Sequence, residues 1–194
     1  LKEKIPQRLA YFENVFRAQQ QEGGRPAEFE QMGIELIGDH SVYADAEVIM
    51  TAIELVQAYG IESFKVTIGH AGVLRCILKD YTESAEQVEK LNELLVQRNY
   101  VGFEEAVLAF NLPKTKSDAL LAFIEEALRL KSIEDIEKYM RKNDALGYMQ
   151  KLWKLLAGAG FEQYIAIDFT LSSHMNYYTG MLFEVFAAGS GFPL

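Results

Sequence analysis

Two kinds of hydrophobic periodicity divide this chain, and their order limits the folds open to it. Residues 4 to 17 and 29 to 37 read as strands, the first entered through Pro6, joined by a polar, glycine-containing loop over 18 to 28. Residues 43 to 59 carry apolar side chains at Val48, Ile49, Ala52, Ile53, Val56 and Tyr59, which is helical spacing, and Gly60 is a C-terminal stop. Phe64, Val66 and Ile68 then alternate with Lys65 and Thr67, the pattern of a half-buried strand. From about 72 to 158 the pattern turns helical. Ser84, Ser117 and Ser132 are each placed to cap a helix, and Ser84 with Gln87 fits a capping box. The helical stripes are Val88, Leu91 and Leu95; Leu120, Ile124 and Leu128; Ile133, Ile136 and Met140; and Met149, Leu152, Trp153 and Leu156. Alternation resumes at Phe161, Ile165, Ile167 and Phe169, and a last strand runs from about 179 to 187.

Strands therefore flank an all-helical block instead of alternating with helices. This predicts an α+β fold: a mostly antiparallel sheet with helices on it, from residues 1–72 and 160–194, and a helical insertion over 73–159. Missing βαβ units count against a Rossmann or P-loop architecture. GAGFEQ at 158–163 follows no strand and is not a dinucleotide fingerprint.

The chain has 194 residues, enough for one sizeable core with or without a small satellite domain. Its net charge of −9 argues against a broad nucleic-acid surface, which needs clustered Lys and Arg. A single cysteine, Cys76, excludes an internal disulfide framework. It opens a helix beside Ile77 and Leu78 and reads as a buried thiol. His40, His70 and His174 lie far apart, so no zinc spacing exists, and neither a metal nor a cofactor is expected. The lack of a signal peptide or long apolar span points to the cytoplasm and away from a membrane partner.

If residues 29 to 37 form a strand, Gln31, Gly33 and Glu35 share one face. Gly33 leaves room there for a ligand to approach the backbone. An amide and a carboxylate flanking that patch suit a ligand with an ammonium and an imidazole; alone, the pattern also fits a solvated face on an edge strand. Tyr177 and Tyr178, near the last strand, fit core-and-rim packing as well as a pocket wall. His174 beside them has no identifiable nucleophile or orienting carboxylate and reads as a loop histidine.

Two stretches carry a resemblance. TLSSHMNYYTGMLFEVFA, residues 170 to 187, resembles the histidyl-tRNA synthetase motif that reads RGLDYY before its Thr-Gly strand. FRAQQQEGGRPAEFEQMGIELIG, residues 16 to 38, resembles motif 2 of the same class II branch: Phe16, Arg17, Gly24, Arg25, Phe29, Gln31, Gly33 and Glu35 match. The resemblance implies histidine contacts at Gln31, Glu35, Tyr177 and Tyr178, with Arg17 and Arg25 as possible anion-binding groups. Three charged positions of the motifs are lost. Gln19 stands for the motif 2 glutamate that helps hold ATP, Ser173 for the catalytic arginine, and Asn176 for the aspartate. A preorganised cation facing the charge that builds at phosphorus is worth roughly a hundredfold or more in rate.

A synthetase-like chain with histidine ligands, no catalytic arginine and the run NYYTG at 176 to 180 is similar to the regulatory subunits of ATP phosphoribosyltransferase, a paralogous family. That resemblance implies a non-catalytic subunit, self-associated as a dimer, paired with a short catalytic ATP phosphoribosyltransferase and conveying inhibition by histidine, without tRNA. A divergent histidyl-tRNA synthetase is the alternative, and a stand-alone histidine sensor a third class. The chain begins at Leu1 and stops at Gly191-Phe192-Pro193-Leu194, where the family would continue into a glycine-rich strand, and is read as a fragment.

Overall fold

The computed structural model describes residues 4–16, 27–127, 129–130, 132–137, 143–171 and 180–189. Strand β1, Gln7–Phe16, follows Pro6 and pairs antiparallel with β2, Glu28–Ile37. The register runs from Gln7 opposite Ile37 to Phe16 opposite Glu28. Side chains alternate, so one face of this hairpin carries Arg8, Ala10, Ile34 and Leu36. These line a concavity of about 240 Å³ against Val48 and Thr51 of helix α1, Val42–Ala58. The Arg8 guanidinium grips both carboxylate oxygens of Glu47 there, and this bond holds the carboxyl below its usual range. Ser41 caps α1 by accepting from Ala44 N at 3.3 Å, and Gly60 ends it with φ +82°, a left-handed conformation open to glycine.

Strand β3, Phe64–His70, is the centre of a second sheet. On one side it pairs antiparallel with β5, Met181–Ala187, and on the other parallel with β4, Ile165–Ile167. Among the described residues the mostly antiparallel prediction holds in two of the three pairings. The parallel pair has a topological cause. The helical block is one long crossover that returns the chain beside β3 in the same direction. Among the described residues the hairpin and the β4–β3–β5 strands form two sheets, not one, because no described strand lies between them.

The block between β3 and β4 holds helices α2 (Ala71–Tyr81), α3 (Ala85–Val96), α4 (Tyr100–Ala109), α5 (Lys114–Ala127), α6 (Ile133–Ile136) and α7 (Asp144–Gly158). Ser84 and Ser132 cap α3 and α6 as expected. The Gln87 side chain reaches back to Glu83 N at 2.8 Å, one residue before the capping-box position. Ser117 is not a cap. It lies inside α5 and is buried, because the helix starts at once after Pro113, whose carbonyl accepts from Lys116 N and Ser117 N. Cys76 does not open a helix either. It sits mid-way along α2 and is half-buried against the core, since the helix begins at Ala71. Leu128 and Met140 lie outside the described residues.

One buried cluster runs from α1 through β3 to the helical block. Ile49 and Ile53 of α1, Val66 and Ile68 of β3, Leu74 and Ile77 of α2, Phe123 of α5 and Leu152 of α7 are each fully enclosed. Helix α7 packs on α1, so Leu152 sits where the block meets the sheet-bearing part. Leu152→Ala is expected to lower unfolding stability by about 2–5 kcal/mol, from lost transfer energy plus the cavity left behind. Chemical denaturation followed by circular dichroism measures it.

Candidate functional site

Strand β2 places Gln31, Gly33 and Glu35 on one face of the hairpin, and the register sets Glu13, Tyr11 and Leu9 opposite them. At the strand rise, the Gln31 and Glu35 backbones lie about 13 Å apart, a span one ligand can bridge with a hydrogen bond at each end. Glu35 is exposed and Gln31 half-buried. Among the described residues this face carries two carboxylates, Glu13 and Glu35, and no Lys or Arg, which favours a ligand with cationic groups.

Gly33 is not the open patch expected of it. A Cβ at Gly33 would overlap the Tyr11 ring, lying 2.5 Å from Cε1. Tyr11 is in register with Gly33, and its ring lies over the bare backbone. Its hydroxyl accepts a 2.5 Å hydrogen bond from Gln31 Nε2. Tyr11 and Glu13 are residues of this candidate face that the sequence alone does not single out. They precede Gly33 and Gln31 by 22 and 18 residues, and only the hairpin register brings them together.

Of the other expected site residues, Tyr177, Tyr178, Arg17 and Arg25 lie outside the described residues, as do Gln19, Ser173, His174 and Asn176. The strand after the tyrosine pair is described. Gly180 accepts from Ala71 N at 3.0 Å, and β5 then runs beside β3 with Phe183 opposite Ile68. Glu184 binds Arg98 at 3.2 Å, and the Arg98 guanidinium stacks over the Phe186 ring at 5.8 Å. The α3–α4 turn is thus fastened to the strand that follows the motif.

A second polar cluster joins α1, β3 and α7. Tyr148 donates to Asp45 at 2.6 Å, and the rings of His70 and Tyr148 meet edge to face at 5.7 Å. His70 Nδ1 accepts from Gly72 N at 3.0 Å and caps α2. Burial lowers the His70 pKa, and the Asp45 carboxylate opposes the shift. Burial raises the Tyr148 pKa, and the bond to Asp45 adds to it. Among the described residues no group of three His, Cys, Asp or Glu side chains is placed to hold a metal, and no helix is long and apolar enough to cross a membrane.

A sequence profile of histidyl-tRNA synthetase matches residues 1–194, the whole chain. The chain belongs to the histidyl-tRNA synthetase family. The resemblance to regulatory subunits is equally direct. The ATP phosphoribosyltransferase regulatory subunit of Lysinibacillus sphaericus is 73% identical over all 194 residues, which cover 50% of that protein. The chain spans about half the length of the curated relatives it matches. The crystal structure of an ATP phosphoribosyltransferase regulatory subunit/histidyl-tRNA synthetase from Bacillus halodurans superposes with a TM-score of 0.87 at 39% identity, over 98% of this chain and 50% of that one. A chain of the ATP phosphoribosyl transferase (HisG:HisZ) complex from Thermotoga maritima shares the fold, with a TM-score of 0.74 at 19% identity over 96% of this chain and 65% of that one.

The His70 cap makes stability depend on pH. Its folded pKa lies below that of a free imidazole, so the unfolded state takes up the proton first. Stability from this group is complete above the unfolded value of about 6.5 and falls as pH drops from there toward the folded value. Protonation of Nδ1 also removes the acceptor for Gly72 N. His70→Asn keeps a capping oxygen and removes the titration. Between about pH 7 and pH 5, the denaturation free energy of His70→Asn is expected to fall less steeply than that of the unsubstituted protein.

Proposed function

We propose that the chain is part of a non-catalytic regulatory subunit of a short-form ATP phosphoribosyltransferase. It pairs in the cytoplasm with the catalytic chain, which joins ATP and phosphoribosyl pyrophosphate in the first step of histidine biosynthesis. Histidine is its effector, the subunit self-associates as a dimer, and residues 73–159 are a helical insertion into the synthetase-like core of 1–72 and 160–194. The observation that carries the reading is the 73% identity, across every residue, to a protein of that name. The site chemistry agrees with it. Gln31 and Glu35 lie on one face of β2, while Ser173, Asn176 and Gln19 remove the charges that histidine activation requires. Recognition of an amino acid needs only the first set; formation of an adenylate needs both.

Tyr177 and Tyr178 complete this proposed pocket as walls, and Arg17 and Arg25 are its anion-binding groups. The catalytic chain holds the substrates. Histidine inhibits by binding one state of the complex better than the other, and the coupling is reciprocal.

Two measurements test the reading. The protein is expected to give no histidine-dependent exchange of pyrophosphate into ATP; exchange above a mock preparation would identify a divergent synthetase instead. Histidine is expected to bind, with Glu35→Ala weakening it about tenfold to a hundredfold, the value of a charge-assisted bond of roughly 1.5–3 kcal/mol. In the assembled transferase, Glu35→Ala should blunt histidine inhibition more than basal catalysis. Unchanged affinity and inhibition in a folded variant would place the effector at a subunit interface.

A further inference from the structure

Of the three residues that the register sets opposite the Gln31–Gly33–Glu35 face, Tyr11 has a defined seat. Its ring lies flush over Gly33, where any side chain would collide with it, and its hydroxyl accepts from Gln31 Nε2. The bare backbone at Gly33 is therefore occupied by a residue of the same chain and is not the surface that a ligand meets. Glycine at this position is what lets the phenol come close enough to hold the amide. That hydroxyl ties down the end of the Gln31 side chain. An amide held at Gln31 and a carboxylate at Glu35 are two polar groups suited to a ligand with an ammonium and an imidazole.

We propose that Tyr11 is a positioning residue of the histidine site, acting through Gln31, and that Gly33 exists to seat it. This rests on the histidine reading above. Tyr11 touches no ligand in this role. It holds in place the amide that does.

The test is calorimetric titration of the protein with L-histidine, with thermal melting to confirm that each variant is folded. Tyr11→Phe keeps the ring over Gly33 and removes only the hydroxyl. It is expected to weaken histidine binding about two- to tenfold, the range of one neutral hydrogen bond. In a Gln31→Ala background the same change is expected to cost nothing further, because the group through which Tyr11 acts is gone. A merely structural tyrosine would cost the same in both backgrounds. Gly33→Ala supplies a second route. The new methyl pushes the ring away and should weaken binding in the Tyr11 protein, but not when combined with Tyr11→Ala. Wild-type affinity in Tyr11→Phe, or an equal loss with and without Gln31, overturns the proposal. Wild-type protein that binds no histidine, or a Glu35→Ala variant that binds it unchanged, instead overturns the histidine reading itself and the role of Tyr11 with it.

Discussion

The close approach of β3 to the chain that leaves β4 fixes the rest of this molecule. At Gly69 a Cβ would lie 2.6 Å from the Asp168 carbonyl oxygen and 2.7 Å from Leu171 Cβ. Only a residue without a side chain lets the returning chain lie there. Asp168 N donates to Ile68 O at 3.0 Å, and the Asp168 carboxylate then accepts from Thr170 N and Oγ1 at 2.8 and 2.7 Å. The backbone thus turns tightly over the end of the central strand. One residue further on, His70 ends β3 and caps α2. The sheet therefore closes and the helical block opens within two residues, which is why a helical crossover can leave and re-enter the sheet without disturbing β3.

Much of this was legible in local sequence. Strand alternation and helical stripes reflect the faces that become buried, and Val66, Ile68, Leu91, Leu120 and Leu152 are enclosed where periodicity puts them. Ser84 and Ser132 cap helices because a hydroxyl before an apolar stripe has an orphan backbone donor within reach. Ser117 carries the same local signal and fails, because Pro113, pre-set for a first helical turn, starts α5 before it. Cys76 was misplaced within its helix because the start of α2 is set by His70, a weak capping signal on its own.

Pairing was less legible than periodicity. The parallel β3–β4 contact depends on where a crossover of nearly a hundred residues delivers the chain, and nothing in the alternation at Ile165 and Ile167 records a direction. The candidate site shows the same division. Gln31 and Glu35 could be read from β2 alone, since a period of two decides that they share a face. Tyr11 could not, because its position over Gly33 depends on which residue of β1 lies opposite. A one-residue slip would carry Tyr11 to the α1 side and bring Ala10 or Phe12 over the glycine. The residue that occupies the site is thus specified by strand register, a property of the pair.

This arrangement bears on how a synthetase-like pocket could serve regulation. Adenylate chemistry demands a cation where charge develops, and its energy is realised only in the transition state. Amino-acid recognition at a strand face demands acceptors held at a fixed spacing, and its energy is realised on binding. The two functions therefore rest on different residues and can be lost separately. In this chain the positions that would supply charge hold Gln19, Ser173 and Asn176, while the strand pair that would hold the amino acid is built in full register. On the proposed reading, binding no longer leads to chemistry, so the ligand's whole preference for one conformation is free to bias an equilibrium. A hairpin face with a defined register is suited to that task. Seating Tyr11 on Gly33 fixes the Gln31 amide beforehand, so less ordering is left for the ligand to impose, and more of the contact energy at Gln31 and Glu35 is left to distinguish the two states of a complex.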